Sequence, residues 1–276
     1  MLSKKMMKPL LLGTMLIATS VVDAHRAWVV PQETVLSGQN RWVSFDAAVS
    51  NDIFLANYNP GRFSALAVHA PDGTVLDVQN MHVGKYRTVF DVALEQEGTY
   101  RIFTASSGLR ATWETEEGER RMWPGRGQQY TPEGFAEHVP EKAKNRQVTH
   151  ALRRMETFVT LGAPTTAVLK PTGQGLELNP ITHPNDLFAG EEAQFQFLMD
   201  GKPAVGVEVS IIREGTRYRN SQEEITLASD KKGLVSITWN GAGRYFLEAE
   251  YKDHKAKKPA TVRTGGYVAV FEVLPD

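Results

Sequence analysis

The chain has 276 residues, of which 41% are hydrophobic and 23% are charged, with 31 basic and 32 acidic side chains. This composition is that of an ordinary globular protein, and the balanced charge gives no indication of a nucleic-acid partner. Cysteine is absent, which excludes thiolate metal sites and cysteine nucleophiles.

The first part of the chain has the pattern of a secretory leader. Lys4, Lys5 and Lys8 form a positively charged start, and an apolar run follows from residue 10 to residue 22. That run is too short to span a bilayer, so we interpret it as a leader rather than a membrane anchor.

Leader cleavage is expected after Ala24, because Val22 and Ala24 supply the small residues that a leader peptidase requires. Cleavage after Ser20 is the competing possibility. Removing residues 1–24 leaves 28 basic and 31 acidic residues and a mature chain that begins at His25. We therefore expect a soluble exported protein in the periplasm of a Gram-negative bacterium.

Residues 25–115 predict short β-strands separated by turns. Val43, Phe45 and Ala47 alternate with polar residues, which is the pattern of a half-buried strand. The segment Pro71-Asp72-Gly73 has the chemistry of a hairpin turn. Strands at this spacing are typical of an immunoglobulin-like β-sandwich.

Residues 116–163 are charged and punctuated by proline and glycine, and we interpret them as a connector or insertion. Thr131, Pro132 and Glu133 predict the start of a short surface helix, with threonine as the N-cap. Residues 155–161 then predict a strand that pairs back onto the protein.

A second all-β unit is predicted over residues 164–276. The pair Asp200-Gly201 predicts a hairpin turn, and the phrase GAGRYFLEAEY echoes EGTYRIFTAS in the first half. The echo favours two related sandwiches. The expected architecture is all-β, with two immunoglobulin-like β-sandwich domains joined by a short, partly helical connector.

Several phrases resemble an exported bacterial family of unknown function that was formerly labelled nickel-uptake-associated. They are AHRAWVVPQETVLSG, AAVSNDIF, HAPDG and LKPTGQGLELNPITHPNDLFAGEEAQF, and together they extend over the mature chain. The resemblance implies a periplasmic role in metal handling, with an outer-membrane TonB-dependent receptor or an inner-membrane transporter as partner. It implies no catalytic activity.

His25 is the first candidate metal ligand. On a free amino terminus, its α-amino nitrogen and its Nδ1 atom can close a chelate ring around one metal ion. A solvated terminal histidine is the alternative. A further imidazole would complete a three-nitrogen site that suits nickel, cobalt or copper.

The candidates for that further imidazole are His183, His69 and His82. His183 is the leading one because it lies in the polar phrase HPND, although a turn that leads into a strand is an equally good interpretation. His254 lies in the basic run KDHKAKKP, which would repel a cation, and we predict a solvated surface residue there.

The sequence thus favours a periplasmic transition-metal binding protein that receives or delivers a metal ion or a small metal complex. A structural adaptor that docks an uptake receptor without metal is the first alternative. A copper-dependent polysaccharide oxygenase is the second, because such enzymes also combine an amino-terminal histidine with a β-sandwich. Its sugar platforms would be tryptophans, of which the chain has five.

Overall fold

The computed structural model describes residues 25–62, 65–125 and 127–276, and this part of the chain is built almost entirely from β-strands. The leader predicted over residues 1–24 lies outside the described residues. The prediction of an all-β chain with immunoglobulin-like sandwiches is confirmed.

The first half of the chain contributes ten strands: β1 (Arg26–Pro31), β2 (Val35–Leu36), β3 (Arg41–Ser50), β4 (Asn59–Pro60), β5 (Ala67–His69), β6 (Val75–Leu76), β7 (Gln79–Val83), β8 (Thr88–Leu94), β9 (Gly98–Glu114) and β10 (Arg120–Trp123). Helix α1 (Pro132–His138) follows. The second half contributes β11 (Lys144–Leu161), β12 (Leu176–Pro180), β13 (Glu192–Met199), β14 (Lys202–Pro203), β15 (Glu208–Arg213), β16 (Ile225–Ala228), β17 (Leu234–Thr238), β18 (Gly243–Asp253) and β19 (Val262–Val273). Short 3₁₀ turns cover Ala167–Leu169 and Thr216–Tyr218.

The described strands form three sheets. A ten-stranded sheet, here called the long sheet, has the order β16-β15-β18-β19-β11-β9-β5-β6, with β10 beside β9 and β2 beside β11. A five-stranded sheet has the order β1-β3-β8-β7, with β4 beside β3. A four-stranded sheet has the order β12-β13-β14, with β17 beside β13.

Strand β11 joins the two halves of the molecule. It pairs with β9 in antiparallel fashion along almost its whole length and with β19 in parallel over residues 149–157. The stretch interpreted as a connector, residues 116–163, therefore contains β10, α1 and this central strand. The expected strand over residues 155–161 is the end of β11, and its polar first half hid the rest of the strand from the alternation pattern.

The two smaller sheets cover opposite faces of the long sheet. Val159 and Leu161 of β11 point into the core shared with the five-stranded sheet. Phe158, the residue before Val159, points into the core shared with the four-stranded sheet. Because successive side chains of a strand alternate between faces, one strand serves both hydrophobic cores.

A third cluster of buried side chains connects the amino-terminal strand to the second half of the molecule. Trp28 and Val30 of β1 pack against Ile212, Phe246 and Val270 of the long sheet. This packing fixes β1 against strands that lie more than 180 residues away in sequence.

The sequence echo between the two halves corresponds to the same local structure. Tyr100 donates its hydroxyl hydrogen to the carbonyl oxygen of Gln96 at 2.9 Å, and Tyr245 donates to that of Gly241 at 2.7 Å. In both cases a buried tyrosine closes onto the backbone four residues upstream, as in the tyrosine corner of immunoglobulin-like folds.

The turn chemistry read from the sequence is present. Asp72 accepts a hydrogen bond from the backbone of Thr74 in the β5–β6 hairpin, and β13 and β14 pair across Asp200-Gly201. Thr131 caps helix α1 by accepting from the backbone N–H of Gly134 at 3.1 Å.

Candidate functional site

A groove lies on the face of the long sheet that carries the five-stranded sheet, beyond the end of that smaller sheet. It has a volume of about 770 Å³ and continues into a neighbouring pocket of about 650 Å³ that shares part of its lining. Four neighbouring strands supply the floor, where Glu250, Gly266, Arg153 and Ser106 lie side by side across β18, β19, β11 and β9. Pro124 and Gly125, together with residues 127–130, form one wall.

His25 lies at the rim of this groove. Its ring stacks on that of Tyr58, with centroids 3.8 Å apart and an interplanar angle of 25°. The residue is exposed, and neither ring nitrogen forms a hydrogen bond with the part of the chain that the structure describes. Both nitrogens therefore face solvent or a ligand.

Arg26 holds the beginning of β1 against the second half of the molecule. Its guanidinium donates to the side chain of Gln222 at 3.0 Å, lies 3.9 Å from a carboxylate oxygen of Glu248, and sits 6.0 Å from the centre of the Phe246 ring. These three contacts fix the position of His25 relative to the groove floor.

The floor carries a carboxylate pair, Glu248 and Glu250, on the same face of β18. Burial raises the pKa of Glu248, and Glu250 raises it further, whereas Arg26 and Arg153 oppose the shift. The negative charge of Glu248 is thus partly compensated by Arg26. The exposed Glu250 forms neither an ion pair nor a hydrogen bond within the described ranges.

Three exposed arginines line the groove: Arg62, Arg110 and Arg153. Within residues 25–62, 65–125 and 127–276, none of them forms a hydrogen bond or an ion pair within 4.0 Å. Arg153 lies flat over Gly266, where an added Cβ would stand 3.3 Å from its Nη1 atom. The absence of a side chain at Gly266 thus leaves room for this guanidinium on the floor.

His183 lies elsewhere and uses both ring nitrogens inside the protein. Its Nδ1 accepts from the backbone N–H of Asn185 at 3.1 Å, which places the proton on Nε2. That nitrogen lies 3.2 Å from the carbonyl oxygen of Thr165 and 3.1 Å from the hydroxyl of Thr99. Burial lowers the pKa of His183. His183 thus lies in a turn, which is the alternative interpretation of the HPND phrase.

His69 packs on the face of β9 opposite the groove floor. Its Nδ1 lies 3.3 Å from a guanidinium nitrogen of Arg101, and its ring edge contacts Phe103. Burial lowers its pKa, and the positive charges of Arg101 and Arg154 lower it further. His82 is exposed on β7, at the edge of the five-stranded sheet.

The structure therefore does not gather the four candidate histidines at one place. In the part of the chain described here, no three His, Cys, Asp or Glu side chains lie close enough together to hold a metal ion. Only His25 among the four candidates lines the groove. The described residues around His25 therefore supply no second candidate histidine at the groove.

A cluster of buried charges lies behind the groove, on the opposite face of the long sheet. Arg154 pairs with Glu177 at 3.1 Å and with Glu156 at 3.5 Å, and Tyr267 donates to Glu156 at 2.8 Å. We call these four residues the buried charge cluster. This cluster was not predicted from the sequence, although the charged residues Arg154 and Glu156 inside an otherwise apolar stretch were a signal.

The tryptophans are mostly core residues. Trp28, Trp123 and Trp239 are buried, whereas Trp42 is half exposed on the outer side of β3. No helix among the described residues is both long enough and apolar enough to cross a membrane.

Comparison with solved structures gives only distant likenesses. An activated alpha-2-macroglobulin of Escherichia coli is 13% identical with a TM-score of 0.24; the match covers 91% of this chain, which spans only 20% of that one. The D0-D1 domain of intimin is 10% identical with a TM-score of 0.22, over 89% and 97% of the two chains. The human OSCAR ligand-binding domain is 11% identical with a TM-score of 0.21, over 90% and 99%. Scores this low carry no argument about function.

No curated protein is significantly similar in sequence to this chain. One family pattern does match, described as a domain of unknown function (DUF4198), and it extends over residues 22–253. This range contains the HRAW phrase, the groove arginines and the whole of β18. The chain therefore belongs to the DUF4198 family of unknown function.

Proposed function

We propose that the mature chain is a periplasmic protein that binds a divalent transition-metal ion, nickel, cobalt or copper, through its amino-terminal His25. The α-amino nitrogen and Nδ1 of this one residue form the chelate. The protein then assists uptake of the metal or its delivery to a membrane transporter or receptor. The leader pattern and the family resemblance support the compartment and the role.

The observation that carries the proposal is the contrast between His25 and His183. Both ring nitrogens of His183 form hydrogen bonds inside the protein, whereas both ring nitrogens of His25 are exposed at the rim of the groove. A terminal amine and an imidazole are both nitrogen donors of the kind that nickel, cobalt and copper bind.

The chelate has only two donors from the protein, so further coordination positions stay open. A metal ion held in this way keeps positions for water or for a small organic ligand. This suits a carrier, which must release its metal to the next protein, better than a closed structural site.

The test is metal titration of the exported protein by calorimetry. The chain is expressed with its own leader and without a histidine tag, and its first residue is established by mass spectrometry. Nickel and copper are titrated into the wild type, into His25→Gln, and into a form with Gly-Ser-Gly-Ser inserted before His25. The insertion keeps the imidazole but moves the amine away from it.

We expect both changes to weaken binding by about 100-fold or more, since each removes one donor of the chelate. His254→Gln is the matched control, because His254 is exposed and lies outside the groove, and it should bind as the wild type does. Equal affinity in the wild type, His25→Gln and the insertion form would contradict the proposal. Lack of binding by the wild type would favour the adaptor.

A further inference from the structure

We infer that the groove is a binding site for a polycarboxylate anion, and that the metal reaches His25 as an anionic complex with such a molecule. In this arrangement Arg153 and Arg110 bind carboxylates of the organic ligand, and the metal faces the terminal chelate. The metal part rests on the proposed function, whereas the anion site rests on the groove alone.

The first argument is the charge of the groove. Arg62, Arg110 and Arg153 have no hydrogen bond or ion pair within the described part of the chain. Glu248 is partly compensated by Arg26, and among the described lining residues two carboxylates, Glu248 and Glu250, face these three guanidinium groups. The groove is thus positively charged in a protein whose formal net charge is −1.

The positive charge of these arginines lowers the affinity of the His25 chelate for a bare divalent cation, so the chelate and the arginines are in conflict for such a ligand. An anionic complex removes the conflict, because its free carboxylates are attracted by the same groups that repel the metal ion alone. The complex also supplies the donors that the two-donor chelate lacks.

The second argument is geometry. Arginine is the side chain whose planar fork matches a carboxylate with two parallel hydrogen bonds. The Arg153 guanidinium lies on the groove floor because Gly266 offers no side chain to displace it. Thr104 and Ser106 add hydroxyl groups to the same lining, and the volume of about 770 Å³ is within the range of sites for small organic molecules.

Calorimetry with three separate solutions tests the inference: citrate alone, nickel alone, and equimolar nickel and citrate. The proteins are the exported wild type, the double variant Arg110→Gln/Arg153→Gln, and His25→Gln. Arg217→Gln is the control for charge removal, because Arg217 is exposed and lies outside the groove. Thermal unfolding of each variant establishes that it is folded, as expected for exposed side chains without internal partners.

We expect the wild type to bind citrate without metal, and the double variant to bind it at least about tenfold more weakly. His25→Gln should retain citrate binding and lose the additional affinity for the nickel complex. Arg217→Gln should behave as the wild type does. Phosphate at equal concentration should compete poorly, since it has one charge centre and the inferred ligand has several.

The outcomes separate the two proposals. If nickel alone binds through His25 while citrate does not bind, or binds equally to the double variant, the anion site is wrong and the terminal chelate stands. If citrate binds through the arginines while His25→Gln changes nothing, the anion site stands and the metal proposal fails. Equal competition by phosphate would overturn the assignment of a polycarboxylate.

Discussion

Arg153 and Arg154 are neighbours on β11, yet their side chains lie on opposite faces of the long sheet and in opposite surroundings. Arg153 is exposed on the groove floor and forms no ion pair with the described residues. Arg154 is only 7% exposed and pairs with two buried glutamates. The same residue type can therefore serve a ligand on one face and hold the fold on the other.

The two faces also differ in the hydrogen bonds and ion pairs that their carboxylates form. Glu177 of the buried charge cluster accepts backbone hydrogen bonds from Thr172, Gly173 and Gln174, in addition to its ion pair. Glu250 of the groove has no such partners in the described ranges. The several partners of the buried Glu177 indicate a structural role, whereas an exposed set of unpaired charges leaves capacity for an external partner.

The largest difference between the two faces is expected when each arginine is replaced in turn. Arg154→Met should lower the free energy of unfolding by about 3–5 kcal/mol, because it leaves Glu156 and Glu177 buried without their cation. Arg153→Met should change it by less than about 0.5 kcal/mol. Urea unfolding at neutral pH measures both. Similar losses of unfolding free energy in the two variants would show that Arg153 also stabilises the fold, and would contradict the difference between the two faces.

The adjacent glycines of β19 offer a second matched pair with a smaller expected effect. At Gly265, an added Cβ would stand 2.7 Å from the Cβ of Leu176 in the core, so Gly265→Ala should cost about 1–3 kcal/mol through overpacking. At Gly266 it would meet the flexible end of Arg153 at 3.3 Å, which can move into the groove.

Gly266→Ala should therefore leave stability within about 0.5 kcal/mol of the wild type, while it shifts Arg153 and weakens citrate binding. Thermal unfolding and calorimetry on the two variants give the comparison. A stable Gly265→Ala protein, or a destabilised Gly266→Ala protein, would mean that the packing of the two faces is not as described.

The smallest expected effect is a pH dependence of the buried charge cluster. Burial raises the pKa of Glu156, and the nearby Arg154 opposes this only in part. A carboxyl whose pKa is higher in the folded state contributes stability below its unfolded pKa of about 4.3, and the contribution is lost as pH rises through the folded value.

The free energy of unfolding of the wild type, measured relative to Glu156→Gln, should therefore fall as pH increases from about 4. On the groove face, burial also raises the pKa of Glu248, so the difference from Glu248→Gln should have the same sign. Its amplitude should be smaller, since 33% of that side chain is exposed. Urea unfolding across the pH range tests both, and a difference that grows with pH would contradict the assigned direction.

Local chemistry in the sequence was enough to predict the fold class and several turns. Strand alternation, the Pro71-Asp72-Gly73 turn and the Thr131 cap are decided by neighbours in the chain, and all three are present. The echo between the two halves also had a local cause, since each tyrosine corner closes over only four residues.

Strand β11 was only partly predicted, because its paired charges break the hydrophobic alternation that marks a strand. Charged residues such as Arg154 and Glu156 are usually exposed. Here they are buried, because Glu177 and Tyr267 on other strands pair with them. That pairing depends on contacts between residues up to 111 positions apart.

The sequence was enough to name His25 as the first candidate ligand, since its place after the predicted leader needs no partner from elsewhere in the chain. It ranked His183 as the second ligand because composition alone cannot show whether ring nitrogens are already hydrogen-bonded. The tertiary structure shows that His183 forms hydrogen bonds with Thr165 and Asn185. It also shows that Arg110 and Arg153 line the same groove as His25. The physical reason is that hydrogen-bond satisfaction and charge neutralisation are set by neighbours in space, and a β-sheet brings those neighbours from distant parts of the sequence.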